Sequence, residues 1–418
     1  MTKRWDVRKR TFYRTSLKLS FVLVFLIGCD DSRNNDDNPY RQEPIPWPSL
    51  ADSPWPIFQH DAQGTGRSQY EGPKVGQLFF IYEDSFWLNS SPVIGENNVK
   101  YLASSADTCY LYALDDSGDV LWKCYLNSIN NYYSEIVATP TIGSNGLIYI
   151  PSAKIGDERL HAISTDGEEI WSLPMHLNTS IALDMEGNLY CIEDNQNTLI
   201  SLTADGDLRW QLSTDDGFQS QYNPIVFSTN GQTLFATGRD SIYAISTDGN
   251  ILWSYWTGRW YEYIVVDNDD NLYFNNVGDS SITSLNYVGE VNWKVHWENL
   301  GVTSISPSNA PTLTVDGNLI YAGRNDEGDL LVAITINGDL LWTLPVSRIG
   351  PHLISDKIGN IYIGSDQFMC ISSTGSILWT SDFPENVPGS DFSPSIGINN
   401  ECYLGIPNSR YTKLIGYN

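Results

Sequence analysis

Five histidines are the residues in this chain best suited to move protons: His60, His161, His176, His296 and His352. They are scattered, and none has the HExxH spacing that sets two imidazoles over one metal. No GxSxG nucleophile turn, Walker loop or GxGxxG stretch is present. His60 and Asp61 are neighbours and could form a proton-transfer pair. Both precede the regular part of the chain, where a structural hydrogen bond is the plainer expectation. The acidic runs "DNDDN" (267–271) and "NDEGD" (325–329) carry oxygen ligands that suit Ca²⁺, but they lack the full EF-hand spacing. Each falls where a hairpin turn is expected. No catalytic residue and no metal site is therefore expected.

The cysteines divide into one at the N-terminus and five further on. Lys3, Arg4, Arg8, Lys9, Arg10, Arg14 and Lys18 precede an apolar run at 19–28, which is too short to span a bilayer and has the size of a signal h-region. The run ends in "LIGC" (26–29), which resembles a bacterial lipoprotein signal. That resemblance implies a signal peptide over 1–28, an acyl chain on Cys29 and a lipid-anchored place in the bacterial cell envelope, on its periplasmic or surface face. Asp30 resembles an inner-membrane retention signal. Residues 29–54, polar and then proline-rich, read as a flexible tether, about 20 residues of which reach on the order of 25 Å. Cys109, Cys124, Cys191, Cys370 and Cys402 remain, with no CxxC and no adjacent pair. An odd count leaves at least one thiol free.

The positioning elements are repeats. "ALDDSGDVLW" (113–122), "AISTDGEEIW" (162–171), "SLTADGDLRW" (201–210), "AISTDGNILW" (244–253), "SLNYVGEVNW" (284–293), "AITINGDLLW" (333–342) and "CISSTGSILW" (370–379) share one pattern. A small residue and an aliphatic lead into a turn with Gly, then a strand ending in Trp. "GQLFF" (76–80) is an imperfect eighth copy with Phe80 at the Trp place. The spacing averages roughly 43 residues, one propeller blade. A second motif alternates with the first, as in "IALDMEGNLY" (181–190), "IVVDNDDNLY" (264–273) and "HLISDKIGNIY" (352–362). Each unit thus holds two hairpins and four strands, with Asp, Asn and Gly supplying the positive φ that tight turns need.

The last second-motif copy, at 393–403, has no Trp strand after it, whereas the strand at 76–82 precedes the first copy. The N-terminal strand is expected to complete the last blade and so remove an exposed edge. The predicted fold is all-β: a monomeric eight-bladed β-propeller of four-stranded antiparallel blades over residues 55–418. Trp122, Trp171, Trp210, Trp253, Trp293, Trp342 and Trp379 would fill the wedges between blades. Gly118, Gly167, Gly206, Gly249, Gly289, Gly338 and Gly375 would make the turns and let a neighbouring chain come close.

This pattern resembles the tryptophan-docking repeats of the PQQ-like β-propeller family, to which quinoprotein alcohol dehydrogenases and the outer-membrane assembly lipoprotein BamB belong. The family's usual Asp after the Ala is kept only at Asp115, and its Thr before Gly only at Thr374, with Ser117 a near match. The stretch "WPIFQHDAQGTGRS" (55–68) looks like the segment that begins many secreted members, and is expected to pack against one end of the ring. The resemblance implies two kinds of work. A quinoprotein enzyme would need PQQ, Ca²⁺ ligands, an Asp base and an adjacent Cys-Cys disulfide. Adjacent cysteines are absent and the motifs place neither ligands nor base, so no PQQ, Ca²⁺ or other cofactor is expected. A non-enzymatic scaffold of the envelope would bind a protein partner, and the likeness to BamB implies outer-membrane protein assembly as the setting.

Aromatic loops offer an alternative, a carbohydrate- or small-ligand-binding propeller. Trp256, Trp260 and Tyr261 follow one Trp strand, Trp297 another, and Tyr132 and Tyr133 a third. They form the candidate ligand or partner face, packing between loops being the other reading. In the "DDSG" hairpin, Asp115 facing Gly118 would set Cys109 opposite Cys124, a place for a disulfide; two buried thiols are the alternative. The chain carries 24 Lys and Arg against 50 Asp and Glu, with seven of the basic residues before residue 29. So acidic a remainder repels nucleic acid and anionic membrane.

Overall fold

The strands of this chain are two to nine residues long, set between Gly, Asn and Asp turns, and strands so short build only small sheets. The computed structural model describes residues 38–84, 87–88, 90–105, 108–128, 138–152, 158–219, 224–258, 263–306, 309–350, 352–384, 393–406 and 412–418. The strands assemble into eight antiparallel sheets, six of four strands and two of five. The chain is an all-β, eight-bladed propeller. Its only helical turns among the described residues are Glu96–Asn98 and Trp297–Leu300. The chain divides into Met1–Pro39, nearly all of it outside the described residues, and Tyr40–Asn418, which holds the blades.

Blades are numbered in chain order, the first containing Val93–Ile94. Blade 2 shows the plan: Thr141–Ile142, Leu147–Ser152, Arg159–Ser164 and Glu169–Pro174 lie side by side in that order. The two-residue strand is fully buried and faces the hub; the Trp strand forms the exposed rim. Blade 8 consists of Ser395–Ile396, Cys402–Ile406, Thr412–Tyr417 and, from the far end of the chain, Leu78–Asp84. Phe80 pairs with Gly416 there, so the first strand closes the ring.

Each Trp turn is a one-residue bulge. In blade 2, Ile163 pairs with Glu169 but Ala162 pairs with Trp171, because Gly167 takes φ +88° and adds a residue to one side. The small residue thereby stands directly across from the Trp of its own blade, at Ser201–Trp210, Ala244–Trp253, Ser284–Trp293, Ala333–Trp342 and Cys370–Trp379 as well. The indole then reaches the next blade. A Cβ at Gly167 would lie 2.7 Å from the Trp122 ring, and the Trp122 N–H donates to the Thr165 carbonyl at 2.9 Å. Trp171, Trp210, Trp253, Trp293 and Trp342 repeat the bond to Ala204, Thr247, Tyr287, Ile336 and Ser373 at 2.9–3.1 Å. At the closure Trp379 lies on Gly76 and donates to the Pro73 carbonyl at 3.2 Å. Phe80, which has no N–H, sits on Gly118.

The same bulge corrects the cysteine register. Leu114 faces Val120 while Ala113 faces Trp122, so the hairpin is not symmetric, and a second bulge lies between Cys109 and Tyr110. Cys124 consequently faces Leu111 and Cys109 faces Asn127. The expected Cys109–Cys124 disulfide is not formed; both are buried thiols, as are Cys191, Cys370 and Cys402.

Candidate functional site

A propeller's innermost strands leave their inward N–H and C=O groups without sheet partners, and buried groups of that kind must be satisfied. Here the chain does it with its own N-terminal strap. Trp55 exchanges both backbone bonds with Ile94 of blade 1 at 3.2 and 2.9 Å. The Pro56 carbonyl accepts from Ile142 of blade 2, Ala62 from Phe227 of blade 4, and Gln63 from Val266 of blade 5, at 2.8–3.0 Å. Thr65 accepts from Leu313 of blade 6, and Gly66 from Ser355 of blade 7, both at 2.8 Å. Residues 55–66 thus circle the inside of the hub instead of capping one end.

The strap also begins earlier than expected. The Gln42 N–H donates to Val315, the Trp47 indole to the Leu183 carbonyl, both at 2.8 Å, and Leu50 bridges to Gly143. The expected tether of 29–54 is therefore too long at its C-terminal end: the compact unit starts at Tyr40. Pro44, Pro46 and Pro48 fix extended backbone and lower the entropy lost on docking.

Between the limbs of the strap lies a cavity of 430 Å³ lined by Pro46, Trp47, Pro48, Ser53, His60, Asp61 and Arg67, among others. The backbone is strained at His60 in its wall and at the preceding residue. Gln59 and His60 take φ +55° and +71°, conformations that L side chains resist at about 1–3 kcal/mol each. His60 is buried, held edge-on by Trp55 with ring centres 5.0 Å apart. Its Nδ1 is 3.6 Å from the Asp61 carboxylate, too far for the hydrogen bond that adjacency suggests. Asp61 instead accepts from the Thr65 N–H at 2.9 Å and from the Thr65 hydroxyl. Burial works to raise the Asp61 carboxyl, but His60, Arg67 and Thr65 outweigh it and hold it below the usual carboxylate range. Both imidazole nitrogens of His60, both amide atoms of Gln59 and the Ser53 hydroxyl are buried without a hydrogen-bond partner among the described residues. Leaving such a group unsatisfied costs about 1–3 kcal/mol, so this is an unfavourable arrangement to keep without a use.

The remaining expected sites fall apart in space or in kind. Trp256 ends a rim strand and is 74 % exposed. Trp297 is instead buried in a 3₁₀ turn, its N–H donating to Asn275 at 3.0 Å, so it is core and not part of a face. Tyr132, Tyr133, Trp260, Tyr261 and Cys29 lie outside the described residues. "DNDDN" is a turn: the Asp267 carboxylate accepts from the Asp269 and Asn271 N–H groups and the Tyr273 hydroxyl. Asp184–Tyr190 and Asp356–Tyr362 repeat it in blades 3 and 7. "NDEGD" is a hairpin tip, flanked by an Arg324–Asp329 ion pair at 2.6 Å. Among the described residues no three His, Cys, Asp or Glu side chains come together as metal ligands. The five described cysteines are buried, and no two of them are adjacent in the sequence. The sequence points to His60 and Asp61 but not to Ser53, Gln59 or Arg67; the glycines of "QGTGR" are the available sign of an irregular loop.

An eight-bladed ring docked by Trp on Gly from blade to blade defines a PQQ-type β-propeller. The family described as "Outer membrane protein assembly factor BamB" matches residues 107–223 and 218–353, and the chain belongs to this PQQ-like propeller family. No curated protein matches by sequence. Among solved structures, quinohemoprotein alcohol dehydrogenase from Comamonas testosteroni is similar with a TM-score of 0.65 and 12% identity, covering 87% of this chain and 80% of that one. BamB from Moraxella catarrhalis is similar with a TM-score of 0.59 and 14% identity, covering 82% of this chain and 99% of that one.

Proposed function

We propose that this chain is a non-enzymatic binding scaffold of the bacterial envelope, held on a membrane by an acyl chain on Cys29 and engaging an envelope protein during outer-membrane protein assembly. The observation that carries this reading is the family match across residues 107–353. The hub agrees with it. Its inner edges are occupied by the strap, leaving the rim and the loops as the surfaces open to a macromolecule. Each rim strand shows aliphatic side chains to solvent, among them Leu121, Ile170, Leu208, Leu252, Leu341 and Leu378. Exposed edges of that kind accept an added strand. Trp256 stands at the end of one such edge.

Two measurements test it in the native bacterium. A photo-crosslinking residue at position 256 should trap an envelope protein, and deletion of the chain should lower the outer-membrane β-barrel proteins counted by mass spectrometry. Absence of any crosslink, with barrel levels unchanged, would sink the assembly role. Cys29→Ala should move the protein from the membrane to the soluble fraction, which tests the anchor separately.

A further inference from the structure

We propose that Lys100 is the key that makes this ring close on itself: its buried ammonium lets blade 1 accept blade 8, and no other blade, as its neighbour. Two departures from the repeat meet at one seam. Phe80 stands where the seven other copies place Trp, so the seam between blades 8 and 1 has no indole N–H to give. Across that seam, Lys100 pairs with the second residue of the two-residue strand of blade 1. The same place holds Leu or Ile in blades 2 to 7 and Cys402 in blade 8. Lys100 is 0 % exposed, as are Ile148 and Leu189 at that place in blades 2 and 3. A lysine is almost never buried so deeply unless paired, because its ammonium loses its water.

The partners of Lys100 cross the seam. Its ammonium donates to the Asp116 carboxylate at 2.8 Å and to the Asp115 carbonyl at 3.2 Å, in the turn of Gly118 on which Phe80 lies. Blade 1 thus supplies for itself the donor that Phe80 lacks. The ammonium also lies 4.6 Å from the centre of the Tyr403 ring and 5.6 Å from that of Phe80, both in blade 8. Asn98 fastens the cluster, donating to Asp116 at 2.7 Å and to Glu401 at 2.8 Å, and the Tyr403 hydroxyl donates to Glu401. Phe80 and Glu401 come from opposite ends of the blade-forming chain, so the cluster ties those ends together. Repeats docked by one shared device are interchangeable, and such chains misassemble by pairing between copies. A buried charge removes that freedom. The place of Glu401 is Leu, Asn or Thr in blades 2 to 7, none of which gives Asn98 a second carboxylate. An indole at the place of Phe80 would bring a larger ring and a second donor to a turn that Lys100 already fills. Any other blade is therefore a poor neighbour for blade 1.

The test uses the full-length chain in detergent, refolded from urea, with light scattering to count copies and hydrogen exchange to follow each blade. Lys100→Leu installs the residue type of the other blades. It should raise the oligomeric fraction at least about fivefold over wild type. It should also speed exchange in Thr412–Tyr417 at least about tenfold, with blades 3 to 5 unchanged. Adding Phe80→Trp to Lys100→Leu rebuilds an ordinary seam, so exchange should slow again while the oligomers persist. Arg209→Leu removes a cation that lies over the Tyr190 ring inside blade 3, and should leave both readouts at wild type. Circular dichroism shows whether each variant is folded. If Lys100→Leu is not, Asn98→Gly decides: glycine is at home at φ +60°, and loss of the bridge to Glu401 should speed blade 8 exchange about threefold. A folded Lys100→Leu that stays monomeric, exchanges faster in every blade alike, or is matched by Arg209→Leu overturns the proposal. So does a double variant that returns to monomer, or, where it decides, Asn98→Gly with wild-type exchange.

Discussion

The rim and the hub of this propeller are built by opposite rules. At the rim one local device recurs: a bulged turn, a glycine with φ near +85°, and an indole that packs on the glycine of the next blade and hydrogen-bonds beside it. Nothing in that device is strained beyond what glycine tolerates, and every docking Trp N–H has a carbonyl. At the hub a single unrepeated segment meets six blades in turn, and within it two non-glycine residues are left-handed and three side chains lack hydrogen-bond partners among the described residues. Five unpartnered buried side-chain atoms and two adjacent left-handed side chains fall within this one segment, while others, such as Asn98, Asn197 and Tyr321, are spread over the blades. The rim supplies the stability that lets the hub carry them.

The sharpest way to break this contrast is at the rim. Trp342→Ala removes a half-buried indole and its bond to Ser373, and should cost about 3 kcal/mol in urea denaturation. A loss under about 1 kcal/mol would mean the docking is decorative. Next, Gly249→Ala should cost about 2–3 kcal/mol, because its φ is +85° and the new Cβ would meet the Trp210 ring at 2.8 Å. Gly146→Ala, at φ +76° with open space around it, should cost only about 1 kcal/mol. Equal losses at the two would show that strain, not docking, explains the rim glycines.

Acid separates the two regions. The Asp61 carboxyl is held below its unfolded value, so its contribution is fully present above about pH 4 and is lost as pH falls through the folded value. The Tm gap between wild type and Asp61→Asn should therefore be steady at about pH 5–8 and shrink below about pH 4. The gap for Trp342→Ala, where no proton is involved, should stay flat. Parallel behaviour of the two variants would contradict the assignment of charge stabilisation to the hub. The smallest effect tests the strain itself: Gln59→Gly should raise stability by about 1 kcal/mol, since it relieves a left-handed side chain and removes two unsatisfied amide atoms. No gain would mean the loop is not strained there.

Blade number, strand order and ring closure are legible in the residues, because each rests on a pattern that recurs at a fixed spacing. The Trp of one copy and the Gly of the next are blind to the rest of the chain, yet stacking the copies brings them together. Where the sequence misleads, the cause is shared. Counting along a symmetric hairpin matches Cys109 with Cys124, and the glycine bulge shifts that count. The position of Trp297 after a Trp strand suggests an exposed loop, but the 3₁₀ turn folds it into the core. The proline-rich stretch looks like tether because nothing in its composition names Leu183, Val315 or Gly143 as what it docks on.

The repeated part was thus written into the residues alone: hairpins, bulges and indoles whose partners lie one period away. The hub came only from folding. Ser53, His60 and Arg67 meet around one cavity because a strap of irregular backbone is bent to fit the inner edges of six blades. The strap's contacts join residues as distant in the chain as Gly66 and Ser355, and no local preference encodes a meeting that depends on the ring having already closed.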